Sequence, residues 1–391
     1  MPKRIYLDFA ATTPLDKRVF EAMKPYFGDV FGNPFSLHQF GQEARAAIES
    51  ARARVADLIG AQSTEIIFTS GGTEANNFAI KGAAHTLGQK GKRIITTAIE
   101  HHAVLNPCKF LASQGYEIIY LKPDQQGIIN AEELKKVLNE ETILVSVMHA
   151  NNEMGAIQPI KEIAEVIKKF KGNKNYPFFH VDAVQTVGHL PIDVKDVEVD
   201  FLSMSAHKFY GPKGVGALYI KKGIKIEPLL HGGEQERGQR ASTENTPGIV
   251  GFGRAAELAK KEMNTENQKL IELRDYFIKE IIKKIKDVIL VGHPAKRLPN
   301  NVNLSFSGVE GEGMLLSLDL VGVACSTGSA CSSNTLEPSH VVLAMGLGHE
   351  VAHSSLRFSL GKQTNKKELD YTINQLIKIV DKLRKMSPLV K

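Results

Sequence analysis

Cysteine is scarce in this chain of 391 residues, occurring only at 108, 325 and 331. Three thiols so unevenly placed build neither a disulfide scaffold nor a four-ligand zinc site, so they read as separate thiols in a reducing compartment, and a cytoplasmic protein is expected. No apolar run approaches the length needed to cross a bilayer. The basic opening Met1-Pro-Lys-Arg-Ile-Tyr-Leu-Asp8 is not followed by the apolar stretch of a secretion signal. A soluble protein without a membrane partner follows as an expectation. The 49 basic and 43 acidic residues leave a formal charge of +6, spread along the chain without the dense basic stripe that nucleic-acid binding requires. His340, His349 and His353 lack a metal-ligand spacing, so no resident metal is expected. Internal repeats, low-complexity tracts and flexible linkers are missing too.

What is present is a globular chain with 42% hydrophobic residues, long enough for two domains. Apolar runs alternate with helical patterns: Ile66–Phe68, Ile94–Thr96, Ile118–Tyr120, Ile143–Val147, Phe178–Val181 and Phe201–Ser203. This alternation predicts an α/β fold with a mostly parallel sheet covered by helices. Gly214–Ile220 follows a tight turn after the last of these runs, as its antiparallel neighbour would. Beyond Arg254 the texture changes to charged amphipathic helices and short strands, predicting a smaller α+β domain.

At the end of the Phe201–Ser203 run comes Ser-Ala-His-Lys208. An amine at a buried strand end is penalised as ammonium, which suits it to condense with an aldehyde. The neighbouring run ends in His180-Val-Asp-Ala-Val-Gln185, so Asp182 and Lys208 should leave the sheet at one edge, where α/β enzymes collect ligands. A carboxylate opposite such a lysine points to pyridoxal phosphate: the lysine takes the aldehyde, and the carboxylate keeps the ring nitrogen protonated. Ser70-Gly-Gly-Thr-Glu-Ala-Asn76 follows a strand and opens a helix, so Gly72 and Thr73 fit a phosphate, although Thr73 and Asn76 also fit an ordinary helix cap. Arg357 is a fork suited to an amino-acid carboxylate or to an interdomain ion pair. Cys108 lies on an apolar helix face and reads as core. Cys331 lies in a run of small polar residues, Cys325 to Pro338, that reads as an exposed loop, where a thiolate can act as a nucleophile. Cys325 stays open between burial, resolving an oxidised Cys331, and helping to hold a cluster. His101 stands at a strand end, placed to relay protons.

In order and over nearly the whole chain, Ser70–Asn76, Glu100–Val104, Asn151–Gly155, Asp182–Gln185, Ser205–Lys208, His231–Arg237 and Ser329–Ser332 resemble the cysteine desulfurases of the NifS/IscS type. The resemblance implies the fold of the aspartate aminotransferase-like pyridoxal phosphate enzymes, with a seven-stranded sheet in a large domain at 15–255 and a small domain formed by 1–14 and 256–391. It favours His101 over His102. It implies that Asn152 contacts cofactor or substrate, that Gln185 bonds the ring oxygen, that Ser205, His207 and Thr243 are phosphate ligands, the last from a partner subunit of a homodimer, and that Asn33 and His38 approach the substrate pocket. The activity implied is removal of sulfur from L-cysteine as a persulfide on Cys331, leaving alanine. The acceptor would be an iron–sulfur scaffold or another sulfur carrier, with Cys331 at most a transient cluster ligand. A selenocysteine lyase or cysteine sulfinate desulfinase would share all but the need for Cys331, and a catalytically silent docking or carrier subunit is the alternative outside enzymes. The chain departs from the family pattern at Glu234, Ala206 and Ala241-Ser-Thr243.

Overall fold

The computed structural model describes residues 4–327 and 338–386. Strand β1 (Ile5–Tyr6) and helices α1 (Lys17–Met23) and α2 (Gln39–Leu58) lead into an alternating series: β2 (Ile66–Thr69), α3 (Gly72–Leu87), β3 (Arg93–Thr97), α4 (His102–Ser113), β4 (Glu117–Leu121), α5 (Ala131–Val137), β5 (Thr142–Met148), α6 (Ile160–Lys171), β6 (Phe178–Asp182), β7 (Phe201–Ser205) and β8 (Gly216–Ile220). The last part comprises α7 (Thr246–Lys284), β9 (Val288–Leu290), β10 (Asn301–Phe306), α8 (Gly311–Leu320), β11 (Val323–Ala324), α9 (His340–Ala344), α10 (Gly348–His353), β12 (Ser355–Ser359) and α11 (Lys366–Met386).

Strands β2 to β8 form one seven-stranded sheet in the order β2-β8-β7-β6-β5-β3-β4, parallel except where β8 pairs antiparallel with β7 and β2. Adjacent residues of a strand serve opposite layers, as the pleat requires. Ile95, Val145 and Leu202 pack with α2, α6 and the first half of α7, whereas Ile94, Leu144 and Phe201 pack with α3 and α4. Near-continuous apolar strands are thus explained by burial of both faces. Cys108 is fully buried in the second layer, as its place on an apolar helix face predicts.

A third cluster joins Ile5 and Leu7 to Leu270, Phe277 and Ile281 of α7, to the strands β10 and β12, and to Leu369, Ile373 and Leu376 of α11. The change of texture near Arg254 does not interrupt the chain. Helix α7 runs unbroken through it, carrying Ile249 to Met263 in the large core and Leu270 to Ile281 in the small one. Val341, Val342, Met345 and Ala352, from α9 and α10, return to the large core.

Candidate functional site

Strands β6 and β7 are parallel neighbours in the register Asp182↔Ser203, so both chains leave the sheet at the same edge. Asp182 closes β6, and Lys208 closes the short turn Ala206–Lys208 just past β7. They line one cavity of about 440 Å³. The volume suits a small organic ligand. Ten of the residues singled out from sequence reach it: Gly72, Thr73, His101, Asn152, Asp182, Gln185, Ser205, His207, Lys208 and Arg357.

At one wall, α3 begins at Gly71 with no side-chain cap, so Thr73 and Asn76 do not form the cap that their spacing allows. The first-turn amides of a helix end carry the positive end of its dipole and suit an anion. Gly72 is needed for room, because a Cβ there would lie 2.6 Å from Val184 Cγ2. At the floor, Asp182 accepts from Asn76 Nδ2 at 2.7 Å and from the Val184 amide at 3.0 Å. Asn76 Oδ1 is buried without a partner among the described residues.

Lys208 Nζ donates to the carbonyls of Ala10 at 2.7 Å and Ala11 at 2.9 Å, and Gln185 Nε2 also donates to Ala10 at 3.0 Å. His207 bonds Thr12 Oγ1 through Nδ1 at 3.1 Å. Burial, then Lys208 and Lys213, push its pKa down to about 4, so it is neutral. Burial likewise lowers the pKa of His101. Its Nδ1 accepts the Ala103 amide at 3.0 Å, which assigns the proton of the neutral ring to Nε2.

Arg357, on β12, donates from Nη1 to the Asn152 carbonyl at 3.0 Å and from Nη2 to Asp8 Oδ1 at 2.8 Å, while its Nε is buried without a partner among the described residues. The ion pair with Asp8 lies within the expected small domain and so is not the interdomain pair of the sequence reading; the arginine reaches the large domain only through the Asn152 carbonyl.

Asn33 and Thr243 are not brought to this cavity. They line a separate hollow with Tyr26, Phe31 and Glu244, and Asn33 Oδ1 takes the Phe35 amide in a turn. His38 caps α2 by accepting the Gly41 amide. Glu234 is exposed and absent from the cavity lining. Cys325 is half-buried against the small core, and burial, then Asp8, pushes its thiol up to about 12. Cys331 lies outside the described residues. It is five residues beyond Ser326, which lines the cavity, and five extended residues span at most about 18 Å.

Sequence reasoning missed Asp8, Asn76 and the Ala10 and Ala11 carbonyls. Asn76 was detectable, standing three residues after Thr73 on the same helix face. Asp8 follows a short strand and so obeys the strand-end rule applied to Asp182. Backbone acceptors leave no trace in side-chain chemistry.

Comparison with known proteins gives a consistent set of similarities. The family model described as aminotransferase class-V matches residues 5–372. A cysteine desulfurase IscS of Dictyoglomus turgidum is 58% identical over 388 residues, 99% of this chain and 97% of that protein. One from Clostridium botulinum is 54% identical over 391 residues, 100% and 97%. A solved structure titled NifS-like protein superposes with a TM-score of 0.91 at 40% identity, covering 97% of this chain and 100% of that one.

Proposed function

Because this chain belongs to the class-V aminotransferase family and to its cysteine desulfurases, we propose that Lys208, Asp182 and Arg357 handle L-cysteine in the strand-end cavity, and that L-alanine is left once its sulfur is taken. The enzyme uses pyridoxal phosphate. The cavity fits that group: the uncapped start of α3 with Gly72 and Thr73 suits a phosphate, Asp182 suits a ring nitrogen, Gln185 a ring oxygen, and the Lys208 amine an aldehyde. Ser205, His207 and Asn152 complete the lining. When bound, the cofactor supplies an aldehyde for amine capture and a ring that withdraws electrons from the substrate's α-carbon.

Arg357, which lines the cavity, takes the α-carboxylate through guanidinium N–H groups not used by Asn152 and Asp8. Lys208, released as a free amine when substrate binds, removes the α-proton. His101, with its proton on Nε2, is suited to donating one rather than abstracting it. Cys331 then attacks the substrate sulfur as a thiolate: the S–S bond forms, the Cβ–S bond breaks, and the electron pair left on carbon is protonated to give alanine. The persulfide passes to an acceptor protein, an iron–sulfur scaffold or another sulfur carrier.

The observation that carries this reading is the meeting of Asp182 from β6, Arg357 from β12 and Lys208 from the turn after β7 at one cavity. Incubation with L-cysteine and a reductant should yield equal amounts of alanine and sulfide, with a persulfide on the Cys331 peptide detectable by mass when reductant is withheld. Lys208→Ala should abolish both products, and Cys331→Ser should abolish the persulfide. Alanine formation undiminished by Lys208→Ala would overturn the assignment.

A homodimer is part of the proposal. Phe27, Phe31, Leu37 and Phe40 are 66%, 72%, 88% and 54% exposed; Phe31 lines the hollow that holds Asn33 and Thr243, and the Phe40 ring lies 5.6 Å from the Phe31 ring, centre to centre. An apolar patch of this kind is expected at an interface. A second copy seated there would let Thr243 and Asn33 serve the partner's cavity. The two lone thiols of low reactivity, Cys108 and Cys325, agree with a cytoplasmic site, where thiols stay reduced.

A further inference from the structure

Asp8 is held rigidly where it meets the cavity. The residue before it donates to the Ala324 carbonyl at 2.8 Å and accepts from the Ser359 amide at 2.8 Å, and Asp8 itself bridges Ser359. Oδ1 receives Arg357 Nη2 at 2.8 Å, while Oδ2 has no hydrogen-bond partner among the described residues, and a fifth of the side chain (20%) stays accessible. Arg357 is itself almost buried, with 5% of its side chain accessible. Asp8 and Arg357 both line the cavity, so the guanidinium offered there to a carboxylate already has a fixed negative charge beside it.

We propose that Asp8 is a specificity-determining residue that selects amino acids with an uncharged side chain, thiol above sulfinate or carboxylate. The inference rests on the reading of Arg357 as the carboxylate fork. Asp8 offsets the arginine, so the pair accepts a single added negative charge, that of the α-carboxylate. A second one on the substrate side chain meets Asp8 after Arg357 has been matched by the α-carboxylate. Like charges within about 6 Å at the dielectric of a protein site alter binding by tenfold or more. Asp182 and Lys208 also line the cavity and act on that extra charge, but they do so in wild type and in Asp8→Asn alike, so their effect cancels in the change of the ratio between the two proteins.

The test uses the holoenzyme and two ligands of nearly equal shape, L-asparagine and L-aspartate, titrated calorimetrically so that no turnover is required. The ratio of the L-asparagine affinity to the L-aspartate affinity should fall about tenfold from wild type to Asp8→Asn, and kcat/KM for L-cysteine sulfinate relative to L-cysteine should rise by about the same factor. A ratio that Asp8→Asn leaves unchanged overturns the proposal. If Asp8→Asn does not fold, Asp8→Ser takes its place in the same comparison and decides it. Failure of wild type to form alanine from L-cysteine would refute the assigned activity alone, since the binding ratio is read without it.

Discussion

Removing the Arg52 side chain should cost this protein far more than a surface arginine would. Arg52 projects from α2 with 4% of its side chain accessible, and its Nη1 and Nη2 meet the two Glu236 oxygens at 2.6 and 3.0 Å. Glu236 is as deeply buried, at 2%, and also accepts the Phe68 amide at 3.0 Å. The guanidinium lies 4.8 Å over the Phe68 ring. Glu236 and Arg237 both adopt left-handed backbone, with φ of 48° and 60°, which side chains other than glycine rarely accept without compensation. Arg52→Ala therefore strands a buried carboxylate with one amide donor and releases a strained turn. Breaking such a pair costs about 3–5 kcal/mol. An unfolding entropy of about 2.1 cal/mol/K per residue, over 391 residues, gives about 0.8 kcal/mol per degree, so the thermal midpoint should fall by about 4–6 °C. Scanning calorimetry at a fixed rate on wild type, Arg52→Ala, Glu236→Ala and the double variant checks it. The double variant should lose clearly less than the two single losses added. A single-variant loss below about 1 °C, or losses that add within about 0.5 kcal/mol, would refute the reasoning.

Stability should peak near pH 6.5. Burial raises Glu100 to about 8 and Glu153 to about 7, so between 4.5 and those values the folded chain binds more protons than the unfolded one and loses stability as pH rises. Burial lowers His149 and His207 to about 4 and His180 to about 3, so up to 6.5 the unfolded chain binds more protons and stability is gained as pH rises. Three histidines outweigh two glutamates below 6.5, and only the glutamates act above it. Thermal midpoints from pH 5 to 9 should show this dome, with Glu100→Gln flattening its alkaline side; a midpoint still climbing at pH 8.5 would contradict it. Gly72→Ala forces a Cβ to 2.6 Å from Val184 and should cost about 1–3 kcal/mol, with weaker retention of pyridoxal phosphate on dialysis. Unchanged melting together with unchanged retention would show that the close approach is unimportant.

Much of the architecture was legible because strand burial and helix periodicity are local signals. Phe178–Val181 and Phe201–Ser203 betray themselves by apolar content, and their ends then point to Asp182 and Lys208. The course of α7 was not legible. Its polar middle resembles a boundary, yet the same helix serves two cores, and only the packed partners of Met263 and Leu270 reveal it. Asn33 and Thr243 illustrate a different limit. They neighbour each other in one hollow, and the use proposed for them involves a second molecule, about which a chain's own periodicities say nothing. Arg357 kept two readings because an arginine's fork suits either partner, and its actual anionic partner, Asp8, lies in a segment hundreds of residues away that pairing preferences alone do not single out.

The charges at the cavity bear on why a helix end, and in the proposed dimer a second subunit, would serve the site. Asp8 and Asp182 oppose Lys208 and Arg357, two negative against two positive, and burial keeps His101 and His207 toward their neutral forms. The lining is therefore close to neutral before anything binds. Capture of an aldehyde at Lys208 and of a carboxylate at Arg357 draws on both cations, and neither remains for a phosphate carrying close to two negative charges. Within one chain that group finds the uncapped amides of α3 and the hydroxyls of Thr73 and Ser205, which are dipoles rather than full charges. A further donor from a second subunit improves this balance without placing another cation beside Lys208, where it would compete for the carboxylate meant for Arg357. In the proposed dimer Thr243 would meet that need because it is uncharged, and it follows by seven residues the strained turn that Arg52 fastens at Glu236.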